Sequence, residues 1–193
     1  MAKPYKNKYD LKEIISQILD ETFGFINIGT EGQKPTYSAA TYGLAAVNGD
    51  VFTLSGSASK KIKITRINIS GSATANAIMD VLVIKRSTLD TGGTATTLTR
   101  VPYDSSDVAS TAVAKAYTVA PTPGTAVGNL LTRAFDVPNA TTPGISSINE
   151  KFEFNLRNEK CLTLNNANEM IAINIPAVPS GGTFDIDITW TEE

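Results

Sequence analysis

A chain of 193 residues with a formal charge of -2 and 19% charged residues is long enough to bury a core of its own and has no polybasic signature for a phosphate-binding surface. It contains no histidine, which rules out Ser-His-Asp and Cys-His arrangements and the histidine-containing zinc sites within one chain. Its single cysteine, Cys161, cannot form an internal disulfide, and between Lys160 and Leu162 it reads as a small structural side chain rather than a nucleophile.

The N-terminal run MAKPYKNKYD is basic with no apolar segment behind it, and no later stretch is long enough to span a bilayer. The chain therefore reads as soluble, without an ordinary signal peptide, and with neither nucleic acid nor membrane as a partner. DLKEIISQILDETFG follows, with Leu11, Ile14, Ile15, Ile18, Leu19 and Phe23 at the spacing that paints one stripe on an α-helix. Asp10 can cap its start, Glu13 completes a carboxylate version of the capping box, and Gly24 supplies the stop. A helix of this length is marginal alone in water. The six residues therefore form either a stripe packed on the chain's own domain or a docking surface for another subunit. NIGTEGQKPTYS resembles a linker, so residues 1–36 are expected to be an anchoring segment and 37–193 a separate β domain.

From Tyr37 onward the signals are β. VFTLS, KIKITRINIS, AIMDVLVIKR, AKAYTVA, LLTRAFDV, KFEFNLR, EMIAINIPA and TFDIDITW are short β-branched or aromatic runs between Gly, Pro, Asn and Ser clusters. Phe152, Phe154 and Leu156 share a face, as do Ile171, Ile173 and Ile175, and Phe184, Ile186, Ile188 and Trp190. The opposite faces carry Glu153 and Asn155, Ala172 and Asn174, and Asp185 and Asp187, the one-side-wet pattern of antiparallel sheets. Ile78 to Ile84 is interrupted only by Asp80, which predicts cover on both faces, as in the middle of an assembly.

KIKITRINIS breaks its own rhythm, because Ile62 and Ile64 have the opposite parity to Ile67 and Ile69. An extra residue at Thr65-Arg66 would bring all four to one core through a β-bulge. Burial of both faces is the alternative, but Lys61 and Lys63 fit a buried interface poorly. The long polar connection from Ser87 to Thr111 reads as a displayed loop, with a short helical turn capped by Asp104 to Asp107 around Val108 to Val113. The strand count and the long crossings predict an all-β, antiparallel jelly-roll sandwich with one N-terminal amphipathic α-helix.

Each candidate for chemistry has a plainer account. Asp185 and Asp187 could hold calcium or act as acid and base, but no second environment separates their pKa values, so a solvated strand face explains them better. Asp104 and Asp107 match no trusted calcium loop and suit a turn. Gly71, Gly92 with Gly93, and Gly181 with Gly182 lack the helix start that a phosphate loop needs, and read as turns. Asn68 and Asn139 fit the glycosylation pattern, which matters only in a secreted eukaryotic protein. Tyr37, Tyr42, Tyr103, Tyr117 and Trp190 could stack on sugar, although Trp190 is in phase with Ile186 and Ile188 and reads as core. A carboxylate-only glycosidase would need two acids facing each other across a cleft about 5 to 10 Å wide, and spacing shows no such pair. No cofactor, metal site or catalytic residue is assigned.

Taken together, NGDVFTLSGSASKKIKITRINISGSAT, MDVLVIKRSTLDTGGTAT and VPYDSSDVASTAVAKAYTVAPTPGTAVG resemble a family of tailed-bacteriophage virion proteins, small jelly-roll or TNF-like β domains, over Val47 to Glu193. The resemblance implies a non-enzymatic structural protein: a capsid decoration (cement) protein or the base of a head fibre. It would be trimeric, assembled in the bacterial cytoplasm, carried on the capsid surface, and partnered by the major capsid protein or other virion proteins. On that view Leu11, Ile14, Ile15, Ile18, Leu19 and Phe23 dock on the capsid or on a neighbouring subunit. The alternative is a head- or tail-fibre module whose loops and tyrosines bind a host glycan.

Overall fold

The computed structural model describes residues 34–141, 148–154 and 160–193. The expected helix with its stripe Leu11, Ile14, Ile15, Ile18, Leu19 and Phe23 lies outside these residues, as do the linker up to residue 33, Asn155 and Leu156. Among the described residues the chain is all-β, with twelve strands: β1 (Thr36–Ala45), β2 (Gly49–Ser55), β3 (Ile62–Ser72), β4 (Ala77–Arg86), β5 (Thr94–Thr97), β6 (Val101–Pro102), β7 (Val113–Val119), β8 (Ala126–Val137), β9 (Ile148–Glu153), β10 (Leu162–Leu164), β11 (Met170–Ile175) and β12 (Thr183–Glu192).

They form two antiparallel sheets. One runs β10-β3-β12-β1-β6, with β9 also on β3, and the other β5-β7-β2-β11-β4-β8. The long-range pairs are nested: β1 with β12, β2 with β11, β3 with β9 and β4 with β8. The alternating runs explain how the sheets meet. Phe184, Ile186, Ile188 and Trp190 of β12 and Ile171, Ile173 and Ile175 of β11 are all buried in one core with Val51, Leu54 and Tyr37. Each large side chain so buried contributes roughly 1.5–3 kcal/mol. Asp185 and Asp187 point to the other side of β12 and are half-buried there.

Bulges decide which residues reach this core. Along β12, Thr189 faces Arg66 while Trp190 faces Ile64, so Thr65 is the extra residue of β3. Ile62, Ile64, Ile67 and Ile69 are consequently all buried on the same side, as the parity break in KIKITRINIS predicts. The bend also divides the far side of β3, which pairs with β10 over Ile62–Ile64 and with β9 over Arg66–Gly71. In β2 the register moves from Phe52↔Ile173 to Asp50↔Asn174, which makes Val51 the extra residue. In an unbulged β2 Asp50 would share the inner face with Phe52 and Leu54; the bulge turns Asp50 to the outer face. In β1 the pairing with β12 shifts between Thr41 and Leu44, and Tyr42 is thrown out to 92% exposure beside Gly43 at φ 58°. The longest open edge, β8, carries two shifts, between the partners of Val83 and Ile84 and between those of Lys85 and Arg86. Such kinks make an edge a poor template for another chain.

Two sequence expectations are corrected and one is met in part. Ala172 and Asn174, expected on a wet face, are buried and half-buried, because the connections from β4 to β5 and from β7 to β8 lie over the outer face of β11. Within the single chain, cover on both faces of Ile78 to Ile84 reaches only one end: Ile84 is buried, Leu82 half-buried and Ile78 75% exposed. The helical turn expected around Val108 to Val113 does not form. Asp104 instead makes a side-chain turn with Ser106, and Val113 opens β7.

Candidate functional site

The bulge at Thr65 opens a shallow depression of about 300 Å³ lined by Thr36, Thr65, Arg66, Tyr103, Glu153, Phe154 and Thr189. β3 supplies Arg66 next to the extra residue, β9 ends at Glu153, and the segment after β6 brings in Tyr103. Arg66 Nη2 donates to the Tyr103 hydroxyl at 3.2 Å and to Thr189 Oγ1 at 3.3 Å, while its Nε is buried without a partner among the described residues. The one carboxylate on the rim, Glu153, is engaged by Lys151. Among the described residues Arg66 forms no ion pair. A guanidinium ringed by hydroxyls, beside the 60% exposed Tyr103 and the half-buried Phe154, can receive an anion with a flat apolar body.

Two buried carboxylates pin the excursion between β4 and β7 to the sheets. Glu192, in phase with Trp190 on the inner face of β12, accepts from Ser110 Oγ at 2.5 Å, Thr111 Oγ1 at 2.8 Å, the amides of Thr111 and Ala112, and Trp190 Nε1 at 3.2 Å. Burial alone would raise its pKa, but the hydrogen bonds from Ser110, Thr111 and Ala112 outweigh that and hold the carboxyl below its ordinary value. At the other end, Arg86 grips Asp50 in a fork, Nε to Oδ2 at 2.8 Å and Nη2 to Oδ1 at 2.9 Å, with Asn174 Nδ2 on Oδ1 at 2.6 Å. Asp90 packs against the same pair, taking the Gly124 amide on Oδ1 at 2.8 Å. The stretch from Ser87 to Thr111, expected as a displayed loop, is therefore tied down at both ends.

The residues singled out by spacing are dispersed. Asp187 accepts the Asn68 side-chain amide at 3.0 Å and Asp185 the Gly43 amide at 2.7 Å, so both serve the strand face. Asp104 is held below its ordinary pKa by the backbone and hydroxyl of Ser106 in a turn. Gly92, Gly93 and Gly181 occupy turns at positive φ, whereas Gly71 lies inside β3 under the ring of Phe184. Asn139 accepts from Thr141 in a local turn. Cys161 is half-buried just ahead of β10. Tyr37 and Trp190 are fully buried and stacked at 6.0 Å between ring centroids, and Tyr117 is buried as well. Of the five aromatics only Tyr42 and Tyr103 are exposed, so they form no common sugar platform.

Asp50, Asp90 and Glu192 were not legible as a set. The only trace of Asp50 is a lone acid in front of an apolar run, and Glu192 looks like terminal charge. Among the described residues no group of three or more acidic or cysteine side chains could hold a metal, and no helix is long and apolar enough to cross a membrane. No protein-family model matches the chain, and neither the curated proteins nor the solved structures yield a match.

Proposed function

We propose that this chain is a non-enzymatic structural protein of a tailed-bacteriophage virion: a capsid decoration protein whose β domain is a jelly roll that associates into a trimer, and whose residues 1–36 grip the head. The observation that carries the reading is the nesting of strands. The first strand pairs with the last, β2 with β11, β3 with β9 and β4 with β8, the wiring of one long hairpin rolled into two sheets. β5, β6 and β7 then read as an insertion that widens the sheets. The resemblance in sequence texture supports the same assignment. So does the occupation of the candidate acids by strand-face and turn hydrogen bonds.

The test is to delete residues 1–36 and measure both oligomer size by light scattering and co-sedimentation with empty capsids. The reading expects a trimer that no longer sediments with capsids. A truncated protein that decorates capsids as well as the full chain removes the docking role of Leu11, Ile14, Ile15, Ile18, Leu19 and Phe23.

One observation favours a second reading, a fibre module that binds a host glycan. Arg66 lacks a carboxylate partner among the described residues and stands beside Tyr103 and Phe154, which suits a sugar bearing a carboxylate. This reading expects binding to acidic but not neutral glycans on an array, abolished by Arg66→Gln. Equal signals from the variant and the native protein would discard it.

A further inference from the structure

We propose that Asp90 is a proton-operated latch: its protonated carboxyl hydrogen-bonds to Asp50 and holds the segments 87–93 and 121–125 against the outer face of the second sheet, and its ionisation releases them. The case starts from a count of charges. Two carboxylates, both sealed from solvent with side-chain exposures of 0% for Asp50 and 1% for Asp90, face one guanidinium, that of Arg86. The fork of Arg86 is committed to Asp50, and its Nε lies 3.5 Å from Asp90 Oδ1. Asp90 Oδ1 has the Gly124 amide, but Oδ2 has no donor among the described residues. Asp50 shares the Arg86 guanidinium with Asp90, so it is the acceptor that a proton on the Asp90 carboxyl would meet. Two ionised carboxylates offer only acceptors, so such a bond needs a proton between them.

Several strands bring groups to Asp90. β2 contributes Asp50, β4 Arg86, β7 Tyr117, and β11 Met170 directly and Asn174 through Asp50. Tyr117 is pushed up from 10.0 by burial, so it does not change state near neutrality. Burial first, then the hydrogen bond and charge of Asp50, raise Asp90 to about 6 against the opposing pull of the Gly124 amide and Arg86. The folded chain thus holds this proton more tightly than the unfolded chain, whose value is 3.8. Stability from this group is complete below about 4 and declines as pH rises toward 6.

The latched segments move as one piece. Thr91 and Thr122 exchange both backbone hydrogen bonds, at 3.0 and 2.7 Å, and the Ser87 amide donates to Thr125 at 2.8 Å. Beneath them the amide of Asp90 rests on Met170 Sδ at 3.3 Å, and Met170 and Ala172 are 2% and 0% exposed. Release uncovers that apolar strip of β11.

The experiment is amide hydrogen exchange on the full chain across pH 5 to 7.5, corrected for the intrinsic pH dependence of exchange. The amide of Asp90, which crosses from the latched piece to Met170 of β11, is read against those of β3 and β12. The latch expects this protection to fall at least about tenfold as pH rises from 5 toward 6 and to level off above that, while the reference strands stay constant. Asp90→Asn, which can hydrogen-bond to Asp50 at any pH, should remove the pH dependence. Flat protection in the native chain, an unchanged fall in Asp90→Asn, or parallel loss in the reference strands would each overturn the proposal.

Discussion

Trp190 Nε1 donates to Glu192 Oε1 at 3.2 Å from two residues away on the same face of β12. The carboxylate thereby satisfies an indole N–H sealed in the core while gathering Ser110, Thr111 and Ala112 onto the end of the sheet. Glu192→Ala strips the acceptor from all of these donors at once. Charge-assisted bonds contribute more than neutral ones and buried donors are costly to leave unpaired, so a loss of about 3 kcal/mol in urea unfolding at pH 7 is expected.

The same carboxyl gives a pH signature opposite in sign to that of Asp90. Its folded pKa lies below the ordinary 4.5, so its contribution is present above that value and is lost as pH falls through the folded one. Denaturation midpoints of the native chain and Glu192→Ala should converge on acidification below about 4.5, and a constant gap down to pH 2 would contradict this.

Deleting Thr65 tests the bulge. The deletion leaves KIKIRINIS, an unbroken alternation that keeps Ile62, Ile64, Ile67 and Ile69 on one face and both halves of β3 in their pairing with β12, but it removes the bend that divides the far side of β3 between β10 and β9. The protein should still unfold cooperatively by circular dichroism, with its stability lowered through the disturbed pairing of β9 and β10, and loss of cooperative unfolding would contradict this. Thr65→Ala keeps the extra residue and gives up only the hydroxyl bond to the Thr189 carbonyl at 3.2 Å, a cost of roughly 0.5–1.5 kcal/mol.

Two glycines should part company. At Gly71 an added Cβ would meet the ring of Phe184 at 2.3 Å and the Thr183 carbonyl at 2.6 Å, so Gly71→Ala should cost about 2 kcal/mol or more through displacement of a fully buried aromatic. At Gly128 nothing lies within 4 Å, and Gly128→Ala should be neutral or slightly stabilising through the unfolded state. Melting temperatures of the two variants check the contrast.

Tyr37→Phe keeps the stack on Trp190 but removes the hydroxyl that donates to the Val108 carbonyl at 2.8 Å. A loss of about 1 kcal/mol is expected in chemical unfolding, with greater proteolysis of the chain around Val108 because that hydroxyl anchors it.

The local patterns of this sequence determined much of the architecture. Alternation in TFDIDITW and MIAINI marks the inner faces, and the parity break in KIKITRINIS marks a bulge, because a strand's side chains alternate strictly and any interruption must be absorbed by the backbone. Pattern could not reach β1, whose TYSAATYGLA has few β-branched residues and is a strand because β12 and β6 flank it. Nor could it reach Asp50: the bulge at Val51 uses an apolar residue that hides the break, and the partners Arg86 and Asn174 lie 36 and 124 residues away. Ala172 was misread for a related reason, since the face a residue occupies is local but what covers that face is not. Which carboxylates end up buried, which cation they share and where a proton must sit are set by long-range pairing. Tertiary structure alone decided them.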